Sequence, residues 1–431
     1  MAQLFFFDPL EKGSNKLGKD NSFHILAKPT GPICNLDCRY CYYTEKEAYF
    51  PKGHSFRMSD AVLESYIKQY IDSQDTAEIV FAWQGGEPTL IGIDFFRKAV
   101  SLQKKYADGK HITNTIQTNG TLLTEQWCEF FSDQNFLVGL SLDGPEPIHD
   151  QYRIDRGGKP TFERVMRALS LLKKYHVDFN ILTCVTRYSA YKALEIYRFL
   201  KQEDIQFIQF IPIVEREVNE GALVLSINHA TPPSLIMEEN QQTVTPWTVE
   251  QEMYGTFLIE IFNEWVQYDV GSVYVMNFEW ALASWIGIPS PICIFSEECG
   301  RAVAMEHTGE LFSCDHYVYP DYQLGNITEG LMNLMNLPSQ HAFGKQKRET
   351  LPSVCRNCEV RFACHGECPK HRFLVSEQNE PGLNYLCKSY KKYFNYINPY
   401  MMRMRQRLQA GLPASSKSSF LTNHNGSGLS S

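Results

Sequence analysis

Cys34, Cys38 and Cys41 stand in the segment GPICNLDCRYCYY, spaced C-x3-C-x2-C, with the aromatic Tyr40 directly before the third cysteine. Three thiolates on one short loop can hold a metal centre, and their number bears on which kind. A closed structural zinc site takes four ligands, and an ordinary 4Fe-4S cluster takes four cysteines. A three-thiolate site leaves one iron open to a ligand from outside the protein. On spacing alone, zinc completed by His24 or a more distant residue is the alternative. A second array runs Cys299-x9-Gly309-x4-Cys314, Cys355-x2-Cys358-x5-Cys364-x3-Cys368, then Cys387, and Cys293 brings it to eight thiols, enough for two sites of four. The C-x2-C unit fits zinc ribbons and iron–sulfur sites alike. Cys128 and Cys184 lie outside both arrays, in an apolar helix and a buried strand, and read as inert small hydrophobes.

The elements that must position these thiols are legible as two alternating patterns. Runs of β-branched or aromatic residues at 23–28, 78–83, 112–118, 136–143, 177–185 and 206–213 read as strands. Amphipathic stretches at 60–73, 95–106, 124–132, 161–175 and 191–202 read as helices; Val165, Met166, Ala168, Leu169 and Leu172, for example, line one helical face. Strands that alternate with helical or looped segments imply parallel strands joined by crossovers, hence an α/β barrel or part of one. The first cysteine loop then follows the first strand, at the mouth where barrel active sites are built.

The organisation expected is a flexible arm at 1–20, the barrel at 21–250, a linking helical segment at 251–290, the cysteine-rich unit at 291–390, a helix at 391–410 and a disordered tail at 411–431. Within it, 214–248 reads as a loop or lid and 248–268 as a helix. The cysteine-rich unit lacks strong periodicity, as expected where metals rather than a large apolar core hold the chain.

Composition narrows the function classes. A net charge of −8, with a pI near 5.9, carries no electrostatic footprint for nucleic acid. No apolar run reaches the roughly 18–20 residues of a membrane span, and no secretory signal is legible at the start. A cytoplasmic protein is therefore expected, and in a reducing cytosol clustered thiols serve as ligands or catalysts rather than disulfides. Disulfide pairing would also leave one of the 13 cysteines over.

CNLDCRYC resembles the signature of the radical S-adenosylmethionine (SAM) superfamily. There the open iron is chelated by the amino and carboxylate groups of SAM, whose reductive cleavage gives a 5′-deoxyadenosyl radical that abstracts a hydrogen atom. The fold this implies is a partial (β/α)6 TIM-like barrel. The eight-thiol array resembles the SPASM extension, a cysteine-rich domain that binds two auxiliary clusters. By that resemblance Cys293, Cys299, Cys314 and Cys368 hold one auxiliary 4Fe-4S cluster, and Cys355, Cys358, Cys364 and Cys387 hold the other, three clusters in all. FAWQGGEPTL, after the second strand, is similar to the segment that meets the SAM amino group, which implicates Gln84, Gly85, Gly86 and Glu87. Gly85 and Gly86 also suit a close approach of backbone to a ligand. In SLDGPEPIHDQYR, Ser141 and Arg153 match positions that hold the SAM carboxylate and ribose; the plain alternative for Arg153 is a surface ion pair. Gln209 and Ile211 would line the adenine side, and Tyr40 joins the SAM-binding set.

The stretches AKP, QTNGTLL, LVGLSLDGPEPIHDQYR, CDHYVYPDYQLGNI and GLNYLC are similar to those of anaerobic sulfatase-maturating enzymes, across about residues 20–400. The resemblance implies oxidation of a Cys or Ser in a sulfatase precursor, in a Cys/Ser-x-Pro/Ala-x-Arg type of motif, to Cα-formylglycine. Hydrogen abstraction from Cβ would be coupled to proton transfer to Asp315, with the last electron leaving through the auxiliary clusters. A carboxylate beside an anionic cluster is expected to have a raised pKa. His316 is an alternative base, and turn-capping an alternative role for Asp315. Tyr43 matches a tyrosine near the substrate, with packing under the loop as its alternative. Flavodoxin or ferredoxin is the implied electron donor, with no nucleic-acid or membrane partner. A SPASM peptide maturase that forms thioether or carbon–carbon crosslinks is the competing enzyme reading, and a zinc-stabilised scaffold the non-enzymatic one.

Anaerobically purified protein should be brown and carry about 12 iron atoms per chain, four for each cluster. Colourless protein with stoichiometric zinc would overturn the iron–sulfur reading.

Overall fold

The computed structural model describes residues 23–216 and 244–415. The expected arm at 1–20 lies outside them, as do residues 217–243 of the expected lid and 416–431 of the expected tail.

Six strands follow the predicted order: β1 (His24–Ala27), β2 (Glu78–Trp83), β3 (His111–Thr118), β4 (Phe136–Ser141), β5 (Phe179–Val185) and β6 (Phe207–Pro212). Each pairs in parallel with the next. Helices Asp60–Ser73, Ile93–Tyr106, Glu125–Asp133, Phe162–Lys174 and Ala193–Gln202 fill the crossovers, within two residues of the boundaries that the periodicity predicts. Alternation along the strands separates two faces. In β2, Ile79, Phe81 and Trp83 are buried in the core with helix residues such as Leu63, Tyr66 and Phe96, while Val80 and Ala82 point the other way and stay half-buried. The expected helices at 248–268 and near the C-terminus form as Met253–Tyr268 and Cys387–Gln409. No helix among the described residues is long and apolar enough to cross a membrane.

The sheet extends beyond the six strands. β7 (Tyr274–Val275) pairs in parallel with β6, and β8 (Ala302–Met305) pairs in parallel with β1 over four residues. β9 (Glu310–Phe312) and β10 (Gln323–Asn326) then continue antiparallel, giving the order β10-β9-β8-β1-β2-β3-β4-β5-β6-β7. The cysteine-rich unit is thus partly sheet, which its lack of periodicity did not announce. Its strand AVAM is short and nearly all buried, so it shows neither length nor alternation to mark it.

The C-terminal helix begins at Cys387 and packs on Met253–Tyr268. At their crossing Gly255 donates its N–H to Ser389 Oγ at 2.8 Å, and Ser389 Oγ donates to the carbonyl of Gln251 at 2.6 Å. A Cβ on Gly255 would lie 2.5 Å from the Ser389 carbonyl oxygen, which leaves no room for a side chain. Gly255→Ala should therefore cost about 1–3 kcal/mol through overpacking and lower the thermal unfolding midpoint of the anaerobic protein by several degrees. An unchanged midpoint would mean that the helices part freely.

Candidate active site

The first cysteine loop leaves β1 through Lys28-Pro29-Thr30-Gly31-Pro32-Ile33 and is held by the loops after β2 and β3. Gly86 N–H donates to the Gly31 carbonyl at 2.8 Å and Glu87 N–H to that of Ile33 at 2.9 Å. A Cβ on Gly86 would lie 2.2 Å from the Ile33 carbonyl oxygen. The close approach that these glycines permit is therefore to the cysteine loop itself, where a ligand was expected. Glu87 is fully buried and accepts from Thr89 N, Thr89 Oγ1, Thr118 Oγ1 and Asn119 N at 2.6–3.0 Å, tying the same loop to the end of β3. Asn119, which sequence reasoning assigned no role, directs its Nδ2 to Cys34 Sγ (3.7 Å) and to Asn35 Oδ1 (2.9 Å). Burial pushes the Cys34 thiol up to about 12, with Glu87 and then Cys41 adding to the shift. Burial also raises Cys38, against Arg153 and with Cys41 and Cys34 opposing its ionisation. Cys34 and Cys38 thus lie in surroundings that disfavour a bare thiolate. A bound cationic centre is what such a set suits.

One face of the sheet opens beside this loop. Gln84, Gln117, Ser141, Leu182, Cys184, Gln209 and Ile211 all lie on it, half-buried, while their neighbours in sequence within the strands sit in the core. Register places Ser141 opposite Leu182, Leu182 opposite Gln209, and Cys184 opposite Ile211. Gln117 Nε2 donates to Ser141 Oγ at 3.0 Å. Arg153 differs from the surface alternative: it is 7% exposed and forms an ion pair with Asp143, Nε to Oδ2 at 2.9 Å. Asp143 also accepts from Tyr40 OH at 2.5 Å, and Arg153 lies over the Tyr40 ring. Arg153 Nη2 approaches Cys184 Sγ at 3.5 Å, so Cys184 lines this pocket and is not an isolated core residue. Asp143, missed in the sequence, is thus the shared partner of Tyr40 and Arg153.

A second network lies where β1 meets the β8–β9 hairpin. Asp315, just past β9, is 9% exposed; Lys28 Nζ lies 2.5 Å from its Oδ1, and Tyr42 OH donates to its Oδ2 at 2.7 Å. Burial alone would push the Asp315 carboxyl up, but Lys28, His316 and the hydrogen bonds from Lys28 and Tyr42 hold it at about 2. A buried ammonium thus faces this carboxylate directly. His316 is driven the other way, to about 3, by burial and then by Lys370, and its Nδ1 lies 3.4 Å from Cys368 Sγ. Tyr43 is buried beneath the loop, where its hydroxyl donates to Glu306 and Lys28 Nζ stacks 3.7 Å from its ring centroid. It is Tyr42, and not Tyr43, that reaches Asp315. Lys370 stacks over the Tyr42 ring at 4.4 Å and pairs with Glu215 at 2.5 Å. Lys28 stands at the C-terminal end of a barrel strand, a position that reads as functional, and that signal in the sequence could have marked it.

The eight remaining thiols of the arrays sort into two sets by mutual influence. After burial, the charges that oppose ionisation of Cys314 are those of Cys293, Cys368 and Cys299. Burial raises Cys387 to about 11, with Cys355 and Cys358 next, and Cys364 to about 12, with Cys387 and Cys355 among its causes. Cys355, Cys358, Cys364 and Cys387 also line one cavity together. Among the described residues no three His, Cys, Asp or Glu side chains gather tightly enough to hold a single ion. The residues present fit two four-thiolate clusters and one three-thiolate cluster.

Comparison with known proteins agrees with this geometry. Residues 29–200 match the radical SAM superfamily and residues 293–359 match an iron–sulfur cluster-binding domain, SPASM. A serine-type anaerobic sulfatase-maturating enzyme of Bacteroides thetaiotaomicron is 44% identical over 388 residues, covering 89% of this chain and 92% of that protein. A cysteine-type enzyme of Clostridium perfringens is 34% identical over 390 residues, covering 89% of this chain and 99% of that protein. The solved structure of native anSMEcpe with bound AdoMet superposes with a TM-score of 0.77 at 33% identity, covering 89% of this chain and 99% of that one. Streptococcus suis SuiB bound to its precursor peptide SuiA shares the fold alone, with a TM-score of 0.57 at 14% identity over 85% of this chain and 76% of that one. With 44% identity to that serine-type enzyme over 89% of its length, the chain belongs to the family of anaerobic sulfatase-maturating enzymes, within the radical SAM superfamily.

Proposed function

We propose that this protein oxidises a seryl or cysteinyl residue of a sulfatase precursor to Cα-formylglycine. The observation that carries the reading is the Asp315 carboxylate, buried between Lys28 and Tyr42 beside the first cysteine loop and adjacent in sequence to Cys314. Identity to the serine-type relative, 44% against 34% for the cysteine-type one, supports serine as the target. A radical SAM centre supplies, when loaded, a 5′-deoxyadenosyl radical able to take a hydrogen atom from substrate Cβ. The residues that would hold it are Cys34, Cys38 and Cys41, with Gln84, Ser141 and Ile211 along the open sheet face and Tyr40 and Arg153 at its edge, while Gly85 and Gly86 let the turn after β2 lie against the cysteine loop. Glu87 shapes that wall by fixing the loop.

Asp315 is the proton acceptor in this reading. Lys28 keeps it ionised, and Tyr42 orients it through one carboxylate oxygen. His316 serves it poorly as a substitute, because its Nδ1 is turned to Cys368. Tyr43 supports Lys28 from below and acts on the substrate only through it. The substrate is a Cys/Ser-x-Pro/Ala-x-Arg segment of the precursor, electrons for SAM cleavage come from flavodoxin or ferredoxin, and the reaction belongs in the cytoplasm.

Incubated anaerobically with reductant, SAM and a peptide carrying S-x-P-S-R or its Cys version, the protein should convert the target residue to formylglycine, read as a mass change. A crosslinked product of a different mass would favour the peptide-maturase alternative. Asp315→Asn should leave SAM cleavage measurable and lower formylglycine formation by about 100-fold or more, the usual weight of a positioned base; unimpaired turnover would remove Asp315 from the chemistry. Lys28→Met removes the charge that depresses the Asp315 carboxyl, leaving burial to raise it. The acid limb of the turnover profile should then move to higher pH, and an unmoved limb would show that Lys28 does not set the ionisation of the base.

A further inference from the structure

Two cations in the cysteine-rich unit are buried without forming an ion pair with any carboxylate among the described residues. Lys347, in the last turn of helix Pro338–Glu349, is fully buried, and its Nζ donates to the main-chain carbonyls of Cys293 at 2.7 Å and Ile294 at 2.9 Å. Arg372 is 5% exposed. Its Nε donates to the Gly366 carbonyl at 2.8 Å, Nη1 to that of Lys347 at 2.6 Å, and Nη2 to those of His365 and Glu367 at 2.7 and 3.0 Å. Each hydrogen bond ends on a neutral oxygen. The buried Glu367 carboxylate acts on Arg372 through space, but its own hydrogen bonds come from His371 at 3.0 Å and Asn384 at 2.6 Å. A buried charge whose hydrogen bonds all end on neutral groups is strongly unfavourable unless an anion stands nearby; Glu367 is one such anion for Arg372, but it is shared with His371, and Lys347 has none among the described residues.

The positions of the two cations point to a further anion. Lys347 holds the backbone of Cys293, a member of one thiol set. Arg372 wraps the carbonyls of residues 365, 366 and 367, the three-residue bridge from Cys364 of one set to Cys368 of the other. We propose that Lys347 and Arg372 are the counter-cations of the auxiliary clusters, Lys347 serving the cluster of Cys293, Cys299, Cys314 and Cys368, and Arg372 serving both. They are positioning residues for electron transfer: positive charge beside a cluster favours its reduced, more negative form and raises its potential. The proposal rests on the reading of the eight thiols as two 4Fe-4S sites.

The test is a redox titration of the anaerobic holoenzyme followed by electron paramagnetic resonance, with iron measured on every sample. In Lys347→Met one auxiliary signal should become harder to reduce, its ratio of reduced to oxidised cluster at fixed potential falling about tenfold, or about 59 mV for a one-electron couple. Lys347→Arg should stay close to wild type. Arg372→Gln should move both auxiliary signals, and the signal of the Cys34, Cys38 and Cys41 cluster should hold still throughout. Unshifted potentials in iron-replete Lys347→Met, or a single shifted signal in iron-replete Arg372→Gln, would overturn the proposal. Loss of four irons from Lys347→Met with full retention in Lys347→Arg supports it, because charge is what the second variant restores; loss from both overturns it. Wild-type protein without three clusters would instead sink the reading of the thiols, a failure that iron analysis exposes before any titration.

Discussion

The parallel ladder between β1 and β8 is the constraint on which the site depends. It runs His24 to Ala27 against Ala302 to Met305, and Lys28 N–H extends it to the Met305 carbonyl at 2.9 Å. Because of it, the strand that ends in the first cysteine loop and the hairpin that ends in Asp315 share one sheet. Lys28 and Asp315 can then meet at the same edge although they come from opposite ends of the chain. Without this pairing the barrel and the cysteine-rich unit would each keep their own thiols, but Asp315 would not face the loop that holds Cys34, Cys38 and Cys41.

Charge in this region is arranged as alternating buried pairs. Lys28 faces Asp315, Lys370 faces Glu215, and Arg153 faces Asp143, each within 3 Å, with tyrosine rings between or beneath them. A buried pair is weak evidence for stability, since desolvation offsets much of its attraction, but loss of one partner is costly. Such pairs are better understood as fixing where charge can and cannot develop next to a reacting atom. Tyr40, Tyr42 and Tyr43, three of the aromatics around the first cysteine loop, each give their hydroxyl to a different carboxylate. The loop is thereby anchored at several separate points on the sheet.

Much of this was legible in the sequence, for local reasons. The first cysteine loop follows from spacings of a few residues, and β1 to β6 from apolar runs divided by helical periodicity, whereas the division of the other eight thiols into two sets came from the resemblance. What escaped depends on contacts between distant segments. Asp143 as the shared partner of Tyr40 and Arg153, Tyr42 rather than Tyr43 at Asp315, and Lys28 against Asp315 are set by tertiary packing and leave no periodic trace. The ammonium that holds the Asp315 carboxyl down left no sign for the same reason, since Lys28 follows a strand far away in sequence. β8 escaped because a short buried strand shows no alternation.

The contact of Gly86 with Ile33 has a bearing on how the protein assembles. Where the backbone of one turn is moulded against the carbonyl of another at van der Waals limits, the later turn takes its shape from the earlier one. The turn after β2 is thus a cast of the first cysteine loop, and chains in which that loop has not settled would lack the turn's native shape.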